Sequence, residues 1–100
     1  MKHVTDWLKA GRQSADGKQP TCPSCGAASI ECQYVGDIHT RIGYADIWCN
    51  SCNRGVHVSR ARAPDHVDLL PMGVPEAVLR QKIPEYEPIE FEDIGSVDDR

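Results

Sequence analysis

Residues 22–52, "CPSCGAASIECQYVGDIHTRIGYADIWCNSC", begin and end with the same motif, Cys-x-x-Cys. A turn of this kind lets two thiolates converge on one ion while nearby backbone N–H groups stabilise the sulfurs. Zinc takes four ligands in a tetrahedron, and four cysteines are a common structural set. The two motifs therefore predict one zinc ion per chain. The predicted ligands are Cys22, Cys25, Cys49 and Cys52.

The residues beside the cysteines favour tight turns. Pro23 presets one backbone angle in the first motif, and Gly26 accepts a left-handed conformation directly after it. Asn53 and Gly55 follow the second motif, and asparagine also tolerates the left-handed conformation. Both motifs can thus close around an ion.

A β-hairpin accounts for the length between the motifs. Residues 26–48 form a spacer somewhat longer than is usual for paired Cys-x-x-Cys motifs, and two strands with a turn absorb that length. Alternating apolar residues predict strands over 28–35 and 42–48, and a third over 56–60. Three short strands at this spacing predict an antiparallel sheet.

The stretch from about residue 20 to residue 62 resembles the zinc ribbon family in "TCPSCG", the hairpin, "WCNSCNRG" and the third strand. The resemblance implies two cysteine knuckles that clamp zinc at one end of a three-stranded antiparallel sheet. Cys32 has no place in that pattern, and Asn53 stands where many ribbons have glycine. The expected fold is a small α+β metal-bound domain, a three-stranded antiparallel zinc ribbon with short flanking helices.

Three other uses of the cysteines are open. Rubredoxin-like iron binds four cysteines in similar knuckles, but six aromatic residues are few for such a core, so iron is the less favoured ion. A thioredoxin-like redox pair needs a strand–helix context, whereas a β pattern follows "CPSC". Disulfides are least favoured, because the count of five is odd and the first ten residues lack the apolar region of a signal peptide.

The flanking segments complete the expected organisation. A short helix is predicted over 1–11, a loop over 63–72 and a second helix over 75–82. The stretch "EYEPIEFEDI" at 85–94 alternates acidic and apolar residues, as an edge strand or an extended tail does. The predicted segments are 1–19 with the first helix and a linker, 20–62 with the zinc ribbon, and 63–100 with the second helix and the acidic segment.

Catalysis is not expected. Four cysteines close the zinc coordination shell, whereas a catalytic zinc keeps a position open for water. The four histidines are scattered, and Cys32 falls on an apolar strand face, where a buried thiol acts as a small hydrophobe. No apolar run approaches eighteen residues, so no membrane span is predicted and a cytoplasmic location is expected.

Two kinds of partner fit the sequence. Residues 64–100 carry ten acidic against three basic residues, and this acidic segment predicts a protein-interaction adaptor or accessory subunit that uses Tyr86, Ile89 and Phe91. The alternative is a nucleic-acid-binding, transcription-associated ribbon with arginines near Tyr44 and Trp48. The arginines concerned are Arg41, Arg54, Arg60 and Arg62. The net charge of −4 disfavours a nucleic-acid partner, because attraction to phosphate dominates that affinity.

Overall fold

The computed structural model describes residues 4–89, and within them two helices and five strands. In chain order these are α1 (Val4–Ala15), β1 (Ile30–Gly36), β2 (Ile42–Cys49), β3 (Arg54–Arg62), β4 (Leu69–Pro71), α2 (Glu76–Lys82) and β5 (Glu87–Pro88). The predicted extended segment is covered as far as Ile89, and Phe91 lies outside the described residues.

The strands form one mixed sheet in the order β4-β1-β2-β3-β5. β1, β2 and β3 pair antiparallel, whereas β4 runs parallel to β1 and β5 runs parallel to β3. The prediction of a three-stranded antiparallel zinc ribbon is therefore wrong, and so is the prediction of a loop throughout 63–72. β4 and β5 have three and two residues, too few for an alternation pattern, and each pairs with a strand distant in sequence.

One face of the sheet packs against α1. Alternation along the strands places Ile30, Ile47 and Val56 on this face, where they form a buried cluster with Trp7 and Ala10 of the helix. Cys22 and Cys49 belong to the same cluster, so the apolar packing of α1 reaches the cysteine motifs.

Gly11 allows α1 to lie close to the sheet. The sequence suggested that the helix ends there, but α1 continues to Ala15. A Cβ atom on Gly11 would lie 2.5 Å from Cδ1 of Ile47, so the missing side chain makes room for β2. Ser14 Oγ then donates a hydrogen bond to the carbonyl oxygen of Ile30 at 3.1 Å.

The opposite face carries the C-terminal part of the described chain. Val35, Trp48, Leu70 and Ile83 form its buried cluster. α2 contributes no fully buried residue, and Leu79 packs at the edge of the cluster. The two helices thus cover opposite faces of the sheet.

Arg41 organises the connection from β3 to β4. Its Nε donates to the carbonyl oxygen of Ala63 at 3.2 Å, and its Nη2 donates to those of Pro64 and Val67. Ala63 is fully buried in a third cluster with Tyr34 and Ala45. These bonds hold residues 63–67 at the end of the sheet. The chain then continues into β4, which pairs with the edge of β1 that β2 does not occupy.

Neither helix within residues 4–89 has the length and apolarity that a membrane crossing requires.

Candidate metal centre

The two Cys-x-x-Cys motifs form matching turns at one end of the sheet. In the first turn the N–H of Gly26 donates to the carbonyl oxygen of Cys22 at 2.8 Å, and in the second the N–H of Asn53 donates to that of Cys49 at 2.9 Å. Gly26 has φ of +83° and Asn53 has φ of +59°. The predicted left-handed conformations at these two positions are confirmed.

The turns bring all four predicted ligands together. Their sulfur atoms all lie within 4.8 Å of one another. Cys22 Sγ lies 3.8 Å from Cys52 Sγ, and Cys25 Sγ lies 3.6 Å from Cys49 Sγ. A tetrahedral zinc with Zn–S bonds of about 2.3 Å separates its sulfurs by about 3.8 Å. The four thiols are thus spaced to hold one metal ion.

Backbone amides point at the sulfurs in equivalent ways. The N–H groups of Ser24 and Cys25 donate to Cys22 Sγ at 3.2 and 3.3 Å, and the N–H of Ser51 donates to Cys49 Sγ at 3.3 Å. Such bonds stabilise the thiolate over the thiol, which is the form that binds metal.

Burial and the neighbouring thiols oppose the ionisation of two of the four cysteines, Cys22 and Cys52. Burial would raise the pKa of Cys49, but the N–H groups of Cys52 and Ser51 and the neighbouring thiols outweigh it and lower that pKa to about 7. Burial raises the pKa of Cys22, and burial together with the other thiols raises that of Cys52. Cys49 therefore ionises readily while Cys22 and Cys52 resist, because burial disfavours their thiolates and the neighbouring sulfurs repel a further negative charge. A bound divalent cation removes that repulsion.

Packing around the centre excludes solvent on one side. Trp7 is completely buried beside Cys22 and Cys49. The hydroxyl group of Ser29, which directly precedes β1, lies 2.9 Å from that of Ser51 in the second turn. Cys22 and Cys49 are buried while Cys25 is exposed, so the centre lies at the surface with its inner half in the core.

Four sulfur ligands leave no place for a substrate. A tetrahedral ion bound by four thiolates has no open position, so it offers neither an activated water nor a Lewis-acid site. An ion held by these four sulfurs would link the two turns.

The four arginines do not form one basic surface. Arg41 is occupied by backbone carbonyls, and the Nε of Arg54 lies 4.0 Å from a carboxylate oxygen of Glu87. The Nη2 of Arg62 lies 3.6 Å from Oδ1 of Asp65. Arg60 is exposed and has no ion pair in the described part of the chain.

The β3 register separates these arginines further. An irregularity in pairing between Gly43 and Ala45 inserts an extra residue into β3, so side chains beyond it change faces. Arg54 shares a face with Val56, on the α1 side, whereas Arg62 pairs with Ile42 on the α2 side. The two arginines are also about 26 Å apart along the strand.

Of the residues predicted as partner contacts, two lie in the described region. Tyr86 stacks on Trp48 with ring centroids 6.5 Å apart, and its hydroxyl donates to Asp46 Oδ1. Ile89 packs beside the α1-side cluster. Both are partly buried in this chain itself. The third, Phe91, lies outside the described residues.

Cys32, expected in the core, is half-buried between the two clusters on the α1 side. Burial, followed by the charges of Asp46 and Glu31, raises its pKa to about 12. The thiol therefore stays protonated at neutral pH and makes a poor nucleophile.

Sequence reasoning missed a buried polar network on the α2 side. Asp46 is only 7% exposed, and its Oδ1 lies 3.0 Å from His57 Nδ1 and also accepts the Tyr86 hydroxyl. Burial and the hydrogen bond to Asp46 raise the pKa of Tyr86, so its phenol stays protonated and donates. The signal in the sequence was Asp46 itself, a charged residue among apolar ones in β2.

Comparisons with protein-family models, curated proteins and solved structures gave no match to this chain.

Proposed function

We propose that this chain is a small zinc-stabilised protein that acts through contact with another protein, as an adaptor or accessory subunit, and not as a catalyst. The sulfur spacing and the four-cysteine set support zinc. The closed coordination shell supports a structural role for the metal. We propose a cytoplasmic location for the protein, because thiols stay reduced there.

The proposed interaction rests on exposed apolar side chains at the end of the sheet opposite the cysteine turns. Ile38, Ile42 and Met72 are 60%, 41% and 54% exposed. The N–H of Asp37 donates to the carbonyl oxygen of Ile42, and the N–H of Met72 donates to that of Gly36, each at 3.1 Å, so these backbones meet at the β1–β2 turn. We name Ile38, Ile42 and Met72 the turn patch. Clustered exposed apolar side chains are typical of protein interaction sites.

A nucleic-acid partner has less support. Arg41 serves the fold, and Arg54 and Arg62 lie on opposite faces near carboxylates. The chain has a net charge of −4, and a tetrathiolate zinc makes it more negative by about two charges. Phosphate contacts need concentrated positive charge, which this arrangement does not provide.

Elemental analysis tests the metal. The purified full-length chain is expected to contain one zinc per molecule, and Cys25→Ser together with Cys52→Ser is expected to abolish that content. Cys32→Ser is the control, since it removes a cysteine thiol but leaves the four predicted ligands. Stoichiometric iron in place of zinc, or no metal with free thiols, would contradict the proposal.

Affinity capture tests the interaction. The full-length chain is compared with the double variant Ile38→Ser, Met72→Ser, and with Val78→Ser as a control that removes another exposed apolar side chain, on α2. A partner that is lost with the double variant and retained by the control supports the turn patch. Equal capture by all three proteins argues against it. Sedimentation of the chain alone identifies self-association through the same patch.

A further inference from the structure

The α2 side of the sheet contains a cavity that neither the metal centre nor the turn patch uses. Its volume is about 450 Å³, which is within the range of small-ligand sites. The walls come from β2, β3 and the segment from Leu79 to Pro88. The polar, charged and aromatic residues of the lining are Tyr44, Asp46, His57, Arg80, Glu85 and Tyr86.

Asp46 and His57 present hydrogen-bond acceptors to this cavity. Asp46 Oδ1 accepts from Tyr86 and lies 3.0 Å from His57 Nδ1. With Nδ1–H donating to the carboxylate, the neutral imidazole keeps a lone pair on Nε2. The His57 side chain is half exposed and lines the cavity, so that lone pair is open to a donor.

The charge of the lining favours a cation. The lining includes two carboxylates, those of Asp46 and Glu85, and one guanidinium, that of Arg80. Arg80 is already engaged, because its Nη1 donates to the carbonyl oxygen of Ile83 at 3.1 Å and its Nε lies 4.0 Å from Glu76. Glu85 is exposed and has no ion pair within residues 4–89. The chain as a whole is acidic, which attracts basic partners.

The walls suit the stem of a long basic side chain. Leu79, Ile83 and Pro84 offer apolar surface, and the rings of Tyr44 and Tyr86 line the same space. The methylene groups of such a side chain can pack on the apolar surface. Its ammonium group is attracted by the faces of the aromatic rings as well as by carboxylates.

We propose that this cavity receives a lysine side chain of a partner protein, with the ammonium group bound by Asp46, Glu85 and His57. The inference deepens the proposed adaptor function and rests on it for the existence of that partner. Binding of a lysine to the cavity can nevertheless be measured without knowing the partner.

The test is an NMR titration of the full-length, metal-loaded chain with the blocked peptide Gly-Gly-Lys-Gly-Gly. Saturable shifts are expected at Tyr44, His57 and Tyr86. The same peptide with acetyl-lysine keeps the methylene stem but loses the charge, and it should produce no saturable shifts. Equal responses to both peptides, or shifts confined to other surfaces, would overturn the proposal.

Matched charge variants locate the site. Glu85→Gln is expected to weaken lysine binding about twofold to fivefold, the range of a surface charge pair. Glu87→Gln changes the net charge equally, but Glu87 does not line this cavity, so its affinity should equal that of the unmodified chain. Equal weakening by both variants would show general attraction and refute the cavity assignment. Because these variants leave the turn patch intact, failure here is separate from failure of the capture experiment.

Discussion

Asn53 performs at the second knuckle the task that Gly26 performs at the first. Its φ of +59° costs most residues about 1–2 kcal/mol, because Cβ crowds the following carbonyl oxygen. Asparagine and glycine accept this conformation with less strain. The backbone conformation at position 53 therefore explains why asparagine occupies it.

Replacement of Asn53 tests this reading. Asn53→Ala is expected to lower the free energy of unfolding of the metal-loaded protein by about 1–2 kcal/mol, while Asn53→Gly should stay within about 0.5 kcal/mol of the unmodified chain. Urea denaturation followed by circular dichroism measures both. If the alanine and glycine variants were equally stable, the strain argument would fail.

Cys32 lies outside the cluster of four sulfurs, and its thiol keeps its proton at neutral pH. Its pKa of about 12 lies above the value of 9.0 for an unperturbed thiol, because it is buried and because Asp46 and Glu31 oppose a negative charge. Folding therefore favours its neutral form. The stabilisation from this residue is fully present below pH 9 and is lost as pH rises through 12.

Alkylation measures that state directly. At pH 8 the folded protein should hold about a thousandfold less Cys32 thiolate than an unfolded chain, so iodoacetamide should leave Cys32 unmodified in the metal-loaded protein. Peptide mass spectrometry follows the reaction, and the urea-unfolded protein is the positive control. Rapid labelling of Cys32 under native conditions would contradict its burial.

Among the elements, the connection between β3 and β4 depends most on one side chain. The planar guanidinium of Arg41 donates to three carbonyl oxygens that no other described side chain reaches. Lysine has the same charge but a single ammonium group that cannot reproduce this fork.

Arg41→Lys should therefore lower the free energy of unfolding by about 2–3 kcal/mol and speed hydrogen exchange of the Leu70 amide in β4. Arg62→Lys is the control, because Arg62 is exposed and should lose less than about 0.5 kcal/mol. Similar losses in the two variants would show that Arg41 does not hold the connection.

At the scale of the whole molecule, the metal centre and the α1-side core are one structure. Cys22 and Cys49 belong to the cluster that contains Trp7 and Ile47, so loss of an ion bound there would disturb the packing between α1 and the sheet. Structural zinc contributes about 10–16 kcal/mol of apparent binding energy in small modules, as much as the entire stability of a typical domain.

Chelation is expected to unfold the chain. Excess chelator at pH 7 should abolish the strand signal in circular dichroism and the dispersion of amide resonances, and added zinc should restore both. Acid should release the metal as pH falls, because protonated thiols do not bind it. Persistence of the sheet signals in the metal-free protein would refute the coupling.

Local chemistry explains what could be predicted from the sequence. Each Cys-x-x-Cys turn places its own two cysteines close together, and Gly26 and Asn53 supply the left-handed backbone angles that these turns need. The alternation in β1 and β2 likewise indicates strands within a few residues of where they lie. Each of these features is set by contacts close along the chain.

Only the tertiary structure decided the rest. The parallel pairings of β4 and β5 join segments too short to show a pattern, and the use of Arg41 depends on carbonyls more than twenty residues away. The faces of Arg54 and Arg62 depend on one extra residue in β3. The carboxylate of Asp46 accepts a hydrogen bond from Tyr86, which lies forty positions later. Because these partners meet only when the sheet assembles, their roles follow from packing and not from local sequence.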